Sequence, residues 1–186
     1  MTGGLDASDD ASDVVDFLVH QHQQVRNLLS DILSSTGPAR KDAFDQVREL
    51  LARHETGEEM IVRPLTRRAP DGSPVADARM AEENKAKEVL ADLEKMDVDS
   101  DEFLATFTRF QQSVLEHADA EERDEFPLLR QNTDREALVK ARDRVRRAEQ
   151  MAPTHPHPSA RTTAANYVAG PFAAMLDRAR DAFSRD

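Results

Sequence analysis

Apolar residues recur at spacings of three and four through most of the chain, the period of an amphipathic helix. Val15, Leu18, Val25, Leu29 and Ile32 share one face, and the spacing predicts a first helix over 12–35, capped by Ser12 and stopped by Thr36-Gly37-Pro38. A second helix is expected over 38–67, with the face Phe44, Val47, Leu51, Ile61 and Leu65, ended by Ala69-Pro70-Asp71-Gly72. A third is expected over 74–96. A fourth, capped by Asp99 or Ser100, is expected to run to about residue 130 with the stripe Phe103, Phe107, Phe110, Val114 and Leu128, its last turn kinked or frayed by Pro127. A fifth is expected over 134–151, capped by Thr133. Residues 153–158 read Pro-Thr-His-Pro-His-Pro, an extended connector. A last amphipathic helix follows Gly170-Pro171 and carries Phe172, Met175, Leu176, Ala179 and Phe183.

Polar residues interrupt three of these stripes. His22 falls in a gap of the first. His54 and Glu58 interrupt the second, and His117 and Glu121 the fourth. The interruptions repeat: HETGEEMIVRPL begins at His54 and HADAEERDEFPLL at His117, with His, Glu, Glu, Pro and Leu at matched offsets. Two helical hairpins of one design predict an all-α, up-down-up-down four-helix bundle with pseudo-two-fold symmetry, extended by C-terminal helices. The expected organisation is a disordered lead over 1–12, a bundle over 13–132 and a helical extension over 133–186 that docks on it.

His at one position and Glu four later lie one turn apart on one face. Here that face is the apolar one. A carboxylate buried beside imidazole is costly unless paired, hydrogen-bonded or bound to a metal. A single His-x3-Glu is readily explained as an ion pair on a helix. Two matched copies on apolar stripes point instead to imidazoles and carboxylates facing one another across the bundle, able to bridge two metal ions. Symmetry asks for a partner to His22 on helix three. Apolar residues follow His22 at Val25, Leu28, Leu29 and Ile32, and follow Glu83 at the same offsets at Ala86, Val89, Leu90 and Leu93. Asn84 matches less well. His20 lies round the helix from His22 and is expected at the surface.

Composition narrows the chemistry. The 186 residues include no cysteine, which excludes disulfides, thiolate sites and iron–sulfur clusters. Nitrogen and oxygen donors without sulfur suit iron or manganese. The net charge is −11, with an acidic body and a mildly basic stretch from residue 134 onward, which argues against a nucleic-acid partner. No apolar run approaches the roughly 18 residues of a membrane span. The N-terminus lacks the basic start and apolar run of a signal peptide, and a cytoplasmic location is expected.

These elements resemble hemerythrin-like (HHE cation-binding) domains, which carry one His on helix one, HxxxE on helix two, a His on helix three and HxxxE on helix four. The resemblance covers about 13–130 and rests on Gln21-His22, His54 with Glu58, Glu82-Glu83-Asn84, and His117 with Glu121. It departs at helix three, which has no histidine, and it implies a ligand there at Glu83 or Asn84. The implied cofactor is a pair of iron ions with oxo or hydroxo and carboxylate bridges, Glu58 and Glu121 between them, His22 and His54 on one, Glu83 and His117 on the other. Glu55 beside His54, Glu122 at the following position in the second repeat, and Tyr167, the single tyrosine, are further candidate ligands. His155 and His157 are expected on a surface connector.

Three functions are compatible with this pattern. The resemblance implies a di-iron protein that reacts with O2, peroxide or nitric oxide in oxidative or nitrosative stress, as a peroxidase- or catalase-like oxidoreductase if it turns over. A carboxylate-rich site suits redox chemistry better than reversible O2 carriage. The second is a non-catalytic iron or O2 sensor whose C-terminal segment switches. The third is a helical bundle without metal.

Overall fold

The computed structural model describes residues 12–152. They form α1 (Val14–Ser34), α2 (Gly37–Gly57, continued by a π-helical turn Glu58–Val62 and by Arg63–Thr66), α3 (Gly72–Leu93), α4 (Asp101–Ala120, continued by a π-helical turn Glu121–Glu125 and by Phe126–Asn132) and α5 (Arg135–Gln150). There is no strand among the described residues. The lead over 1–11, His155 and His157, Tyr167 and the helix expected after Gly170 lie outside them.

Local chemistry sets the helix ends. Asp13, rather than Ser12, caps α1: its carboxylate accepts from the Val15 and Asp16 N–H groups at 2.8 and 3.0 Å, and the Asp16 side chain accepts from the Asp13 N–H at 3.2 Å. This reciprocal capping box needs the acid three residues on, which Ser12 lacks. Ser100 caps α4 through the Phe103 N–H (3.1 Å), and Asp134, rather than Thr133, caps α5 through the Ala137 N–H (3.0 Å).

Short connections make α1 and α2, and α3 and α4, antiparallel neighbours, and α5 lies across α1 and α2. The core is split in two. One apolar cluster gathers Val25, Leu29 and Ile32 of α1, Phe44, Val47 and Leu51 of α2, Leu90 and Leu93 of α3, and Phe103, Phe107 and Phe110 of α4. The other gathers Val14 and Leu18, Ile61 and Val62, Phe126 and Leu129, and Leu138 and Val145 of α5. Each of the four bundle helices also buries polar residues: Gln21 and His22, His54 and Glu58, Glu83, and Glu121. The far end of the bundle is tied by buried Arg40, which donates to the carbonyls of Ile32 and Val98 (3.0 Å each) and to Asp99 (2.9 Å).

The π turns depart from uninterrupted helices. The Arg63 N–H donates to the Glu58 carbonyl and the Phe126 N–H to the Glu121 carbonyl, five residues back in each repeat. Pro64 and Pro127 come next. Proline has no N–H to give, and its ring collides with the carbonyl four residues earlier. A turn widened by one residue absorbs that collision, so α4 continues past Pro127 to Asn132 instead of fraying.

Candidate metal centre

Each His-x3-Glu pair ends where its π turn begins, so both glutamates sit at the seam between the two apolar clusters. Glu58 and Glu121 are completely buried. His22, His54, Glu58 and Glu121 bring one donor atom each to within 4.8 Å of one another, and so do Glu58, Glu83, His117 and Glu121. Glu58 and Glu121 are common to both groups. The six residues come from all four bundle helices.

The imidazoles are oriented alike. His54 Nδ1 lies 2.9 Å from Gln21 Oε1, His22 Nδ1 2.8 Å from Glu122 Oε1, and His117 Nδ1 2.8 Å from Glu82 Oε2. Nδ1–H donates to these oxygens, which turns each Nε2 inward, the arrangement that positions metal-binding histidines. The three Nε2 atoms converge: His22 on His54 at 3.3 Å, His22 on Glu121 at 3.2 Å, His54 on Glu58 at 3.4 Å and His117 on Glu121 at 3.1 Å. Phe126 stacks on His22 with ring centres 5.6 Å apart. Gln21 also donates to Glu149 of α5 at 2.8 Å, so α5 reaches the centre through one side chain.

The electrostatics are those of too many acids in one dry place. Burial, reinforced by Glu121, raises Glu58 well above the usual carboxylate range, and burial raises Glu83. Burial opposes ionisation of Glu121 too, yet Arg63 and His117 hold it well below that range. Burial and neighbouring His22 lower His54 to about 3. Burial would lower His117 as well, but Glu121 and Glu83 raise it to about 9.

These residues fit a cation. Glu58 Oε1, Glu83 Oε2 and Glu121 Oε2 are buried without a hydrogen-bond partner, and such orphaned acceptors are expensive unless something positive meets them. The donor set, all imidazole and carboxylate, suits iron or manganese.

The remaining candidates stand apart. Glu122 turns to His22 and to Arg26 (3.0 Å). Glu55 pairs with Lys87 at 3.4 Å, burial raising it to about 7. Asn84 is half-buried beside fully buried Glu83. His20 is exposed and meets Gln24 at 3.2 Å. Sequence reasoning passed over Arg63, whose guanidinium donates to Glu58, Glu83, Glu121 and Glu125. On an α-helix of about 100° per residue, Arg63 would point well away from Glu58. The π turn brings it onto the same face, and the proline after it was the available signal.

Fold and site define a class: a four-helix bundle with a buried histidine–carboxylate layer between its helices, able to hold cations. The chain belongs to the hemerythrin family, since the family model for the hemerythrin HHE cation binding domain matches residues 13–129. It is 31% identical over 134 residues to an uncharacterized hemerythrin-like protein of Schizosaccharomyces pombe, a match covering 70% of this chain and 66% of that protein's length. A crystal structure of a hemerythrin HHE cation binding domain-containing protein from Mycobacterium kansasii superimposes with a TM-score of 0.67 at 19% identity, covering 90% of this chain and 99% of that one. At that identity the likeness speaks for the fold.

Proposed function

We propose that this chain is a non-haem di-iron protein that reacts with O2, peroxide or nitric oxide, in defence against oxidative or nitrosative stress. One observation carries the reading: two donor groups that share Glu58 and Glu121, with the Nε2 atoms of His22, His54 and His117 each turned inward by an Nδ1 partner. Shared carboxylates are how one centre holds two cations close together. Iron bound there supplies the electrons for reducing O2 or peroxide and an affinity for nitric oxide.

The chain's own part is to bind, orient and exclude. Gln21, Glu82 and Glu122 fix the imidazoles. Phe126 and the apolar clusters on both sides keep bulk water out. Five of the six donor residues are buried and His117 is half-buried, so the centre suits diatomic molecules or peroxide rather than a bulky substrate.

The test is an absorption spectrum of the iron-loaded full chain before and after O2, peroxide or nitric oxide, with peroxide consumption followed separately. New charge-transfer bands and consumption of peroxide are expected. A loaded protein whose spectrum ignores all three small molecules contradicts the reading. A sensor is the second reading, favoured by the bridge from His54 through Gln21 to Glu149 of α5. Deleting α5 would remove Leu138 and Val145 from the core and expose Val14, Leu18, Ile61 and Val62, so Glu149→Ala is the cleaner probe. A sensor predicts that iron loading changes protease sensitivity of the C-terminal segment in the parent and not in this variant.

A further inference from the structure

The two repeats are not equivalent, and their buried departures from symmetry touch one another. His22 of the first hairpin corresponds to Glu83 of the second. Nine residues after each repeat's histidine stand Arg63 and Phe126, and eight after stand Val62 and Glu125. On one side, His22 is covered by the ring of Phe126. On the other, Arg63 donates from Nε to Glu83 at 3.1 Å and from Nη1 to Glu125. Arg63, Glu83 and Glu125 are all essentially inaccessible to solvent. The charge added by Glu83 is thus matched, in the same place, by a guanidinium.

Where that guanidinium lies is the informative part. Nη2 donates to Glu58 (3.0 Å), Glu83 and Glu121 together. Those are the three carboxylates of the group they form with His117, whose donor atoms lie within 4.8 Å of one another. A single nitrogen cation therefore stands among the donors where a metal ion would stand. In the group with His22 and His54, Glu121 turns its other oxygen, Oε2, to His22, and Glu58 Oε2 faces His54 as well as Arg63. Glu125 offers Arg63 an acceptor outside both groups and is itself held by the Thr66 hydroxyl.

We infer that Arg63 is an internal cation that occupies the second metal position, so that the two positions load in order: the His22–His54 position first, and the Glu83–His117 position only as Nη2 withdraws onto Glu125. This rests on the metal-binding reading above and adds an order and a residue that sets it. The physical reason is competition. Glu58, Glu83 and Glu121 cannot give the same lone pairs to a guanidinium and to a metal, and charge-assisted hydrogen bonds of this kind are the strong ones. Glu125 reduces what must be given up, because Nη1 stays paired throughout.

Anaerobic titration of the full chain with Fe(II), followed by calorimetry and by metal counting after desalting, tests this. The parent is expected to bind in two resolved steps. Arg63→Leu should leave the first step in place and tighten the second roughly tenfold to a hundredfold, as expected when competing charge-assisted hydrogen bonds are removed. Glu125→Gln should weaken the second step alone, because the withdrawn guanidinium loses its charged acceptor. Arg63→Lys keeps a charge but not the fork that spans cluster and Glu125, and it serves if the Leu variant does not fold. In that variant too the two steps should draw closer. Equal affinities at both positions in the parent, or stepwise affinities unmoved by all these variants, overturn the ordering while leaving the metal-binding reading intact. A parent and variants that all bind no Fe(II) overturn both.

Discussion

His54 and His117 hold matched places in the two repeats yet are driven in opposite directions. His54 is enclosed, faces another imidazole and is lowered to about 3, whereas His117 faces Glu121 and Glu83 and is raised to about 9. In the metal-free protein these shifts pull stability opposite ways with pH. The His117 contribution is complete below its ordinary value of 6.5 and is lost as pH rises through about 9. The His54 contribution is complete above 6.5 and is lost as pH falls toward about 3. Urea unfolding of the chelated protein should therefore show His117→Gln losing less stability than the parent between about pH 6 and about pH 9. A parent–variant difference that does not move with pH would contradict this assignment. On helix three, Glu83→Ala should cost one Fe(II) equivalent selectively, while Asn84→Ala should do less, since only Glu83 is buried against both Arg63 and the shared glutamates. The reverse ranking would mean that Asn84, not Glu83, is the donor.

At the scale of elements, the helices and their ligand-bearing faces were legible because burial follows the 3.6-residue period: Val25, Leu29, Phe107 and Val114 mark the inward side, and His22, His54 and Glu121 lie in line with them. The two caps read one residue early, at Ser12 and Thr133, show how weak a lone Ser or Thr is beside an Asp that also has a reciprocal partner or follows at once. The π turns were hidden because a periodic stripe says nothing about one extra residue, and Arg63 was hidden with them. Glu82 and Gln21 were hidden for another reason: a polar side chain that buttresses an imidazole leaves no periodic mark. Gly57 shows what the element boundary demands. A β-carbon there would lie 2.7 Å from Val145 Cγ1 of α5. Gly57→Ala should destabilise the protein by about 1–3 kcal/mol through overpacking, and adding Val145→Ala should recover part of the loss in thermal unfolding. No recovery would show that α5 does not press on the first π turn.

For the molecule as a whole, the −11 charge and the acid-rich centre have one consequence. A bundle that buries Glu58, Glu83, Glu121 and Glu125 around one guanidinium is short of positive charge, and bound metal is the remedy. No helix among the described residues is long and apolar enough to cross a membrane. Fe(II) at about a thousand times its dissociation constant should add about 4 kcal/mol to stability, read as a rise in the unfolding midpoint. His54→Ala should lose most of that rise. If the variant keeps the full rise, the Nε2 convergence is not where the ion binds.

Anomalous X-ray scattering at the iron edge from crystals of the Fe(II)-loaded chain addresses the central claim directly. The account predicts two peaks between Glu58 and Glu121, roughly 3.5–4 Å apart as in other two-metal sites, one beside His22 and His54 and one beside Glu83 and His117. Iron found only at the surface, with Arg63 still bound to all three carboxylates, would contradict it.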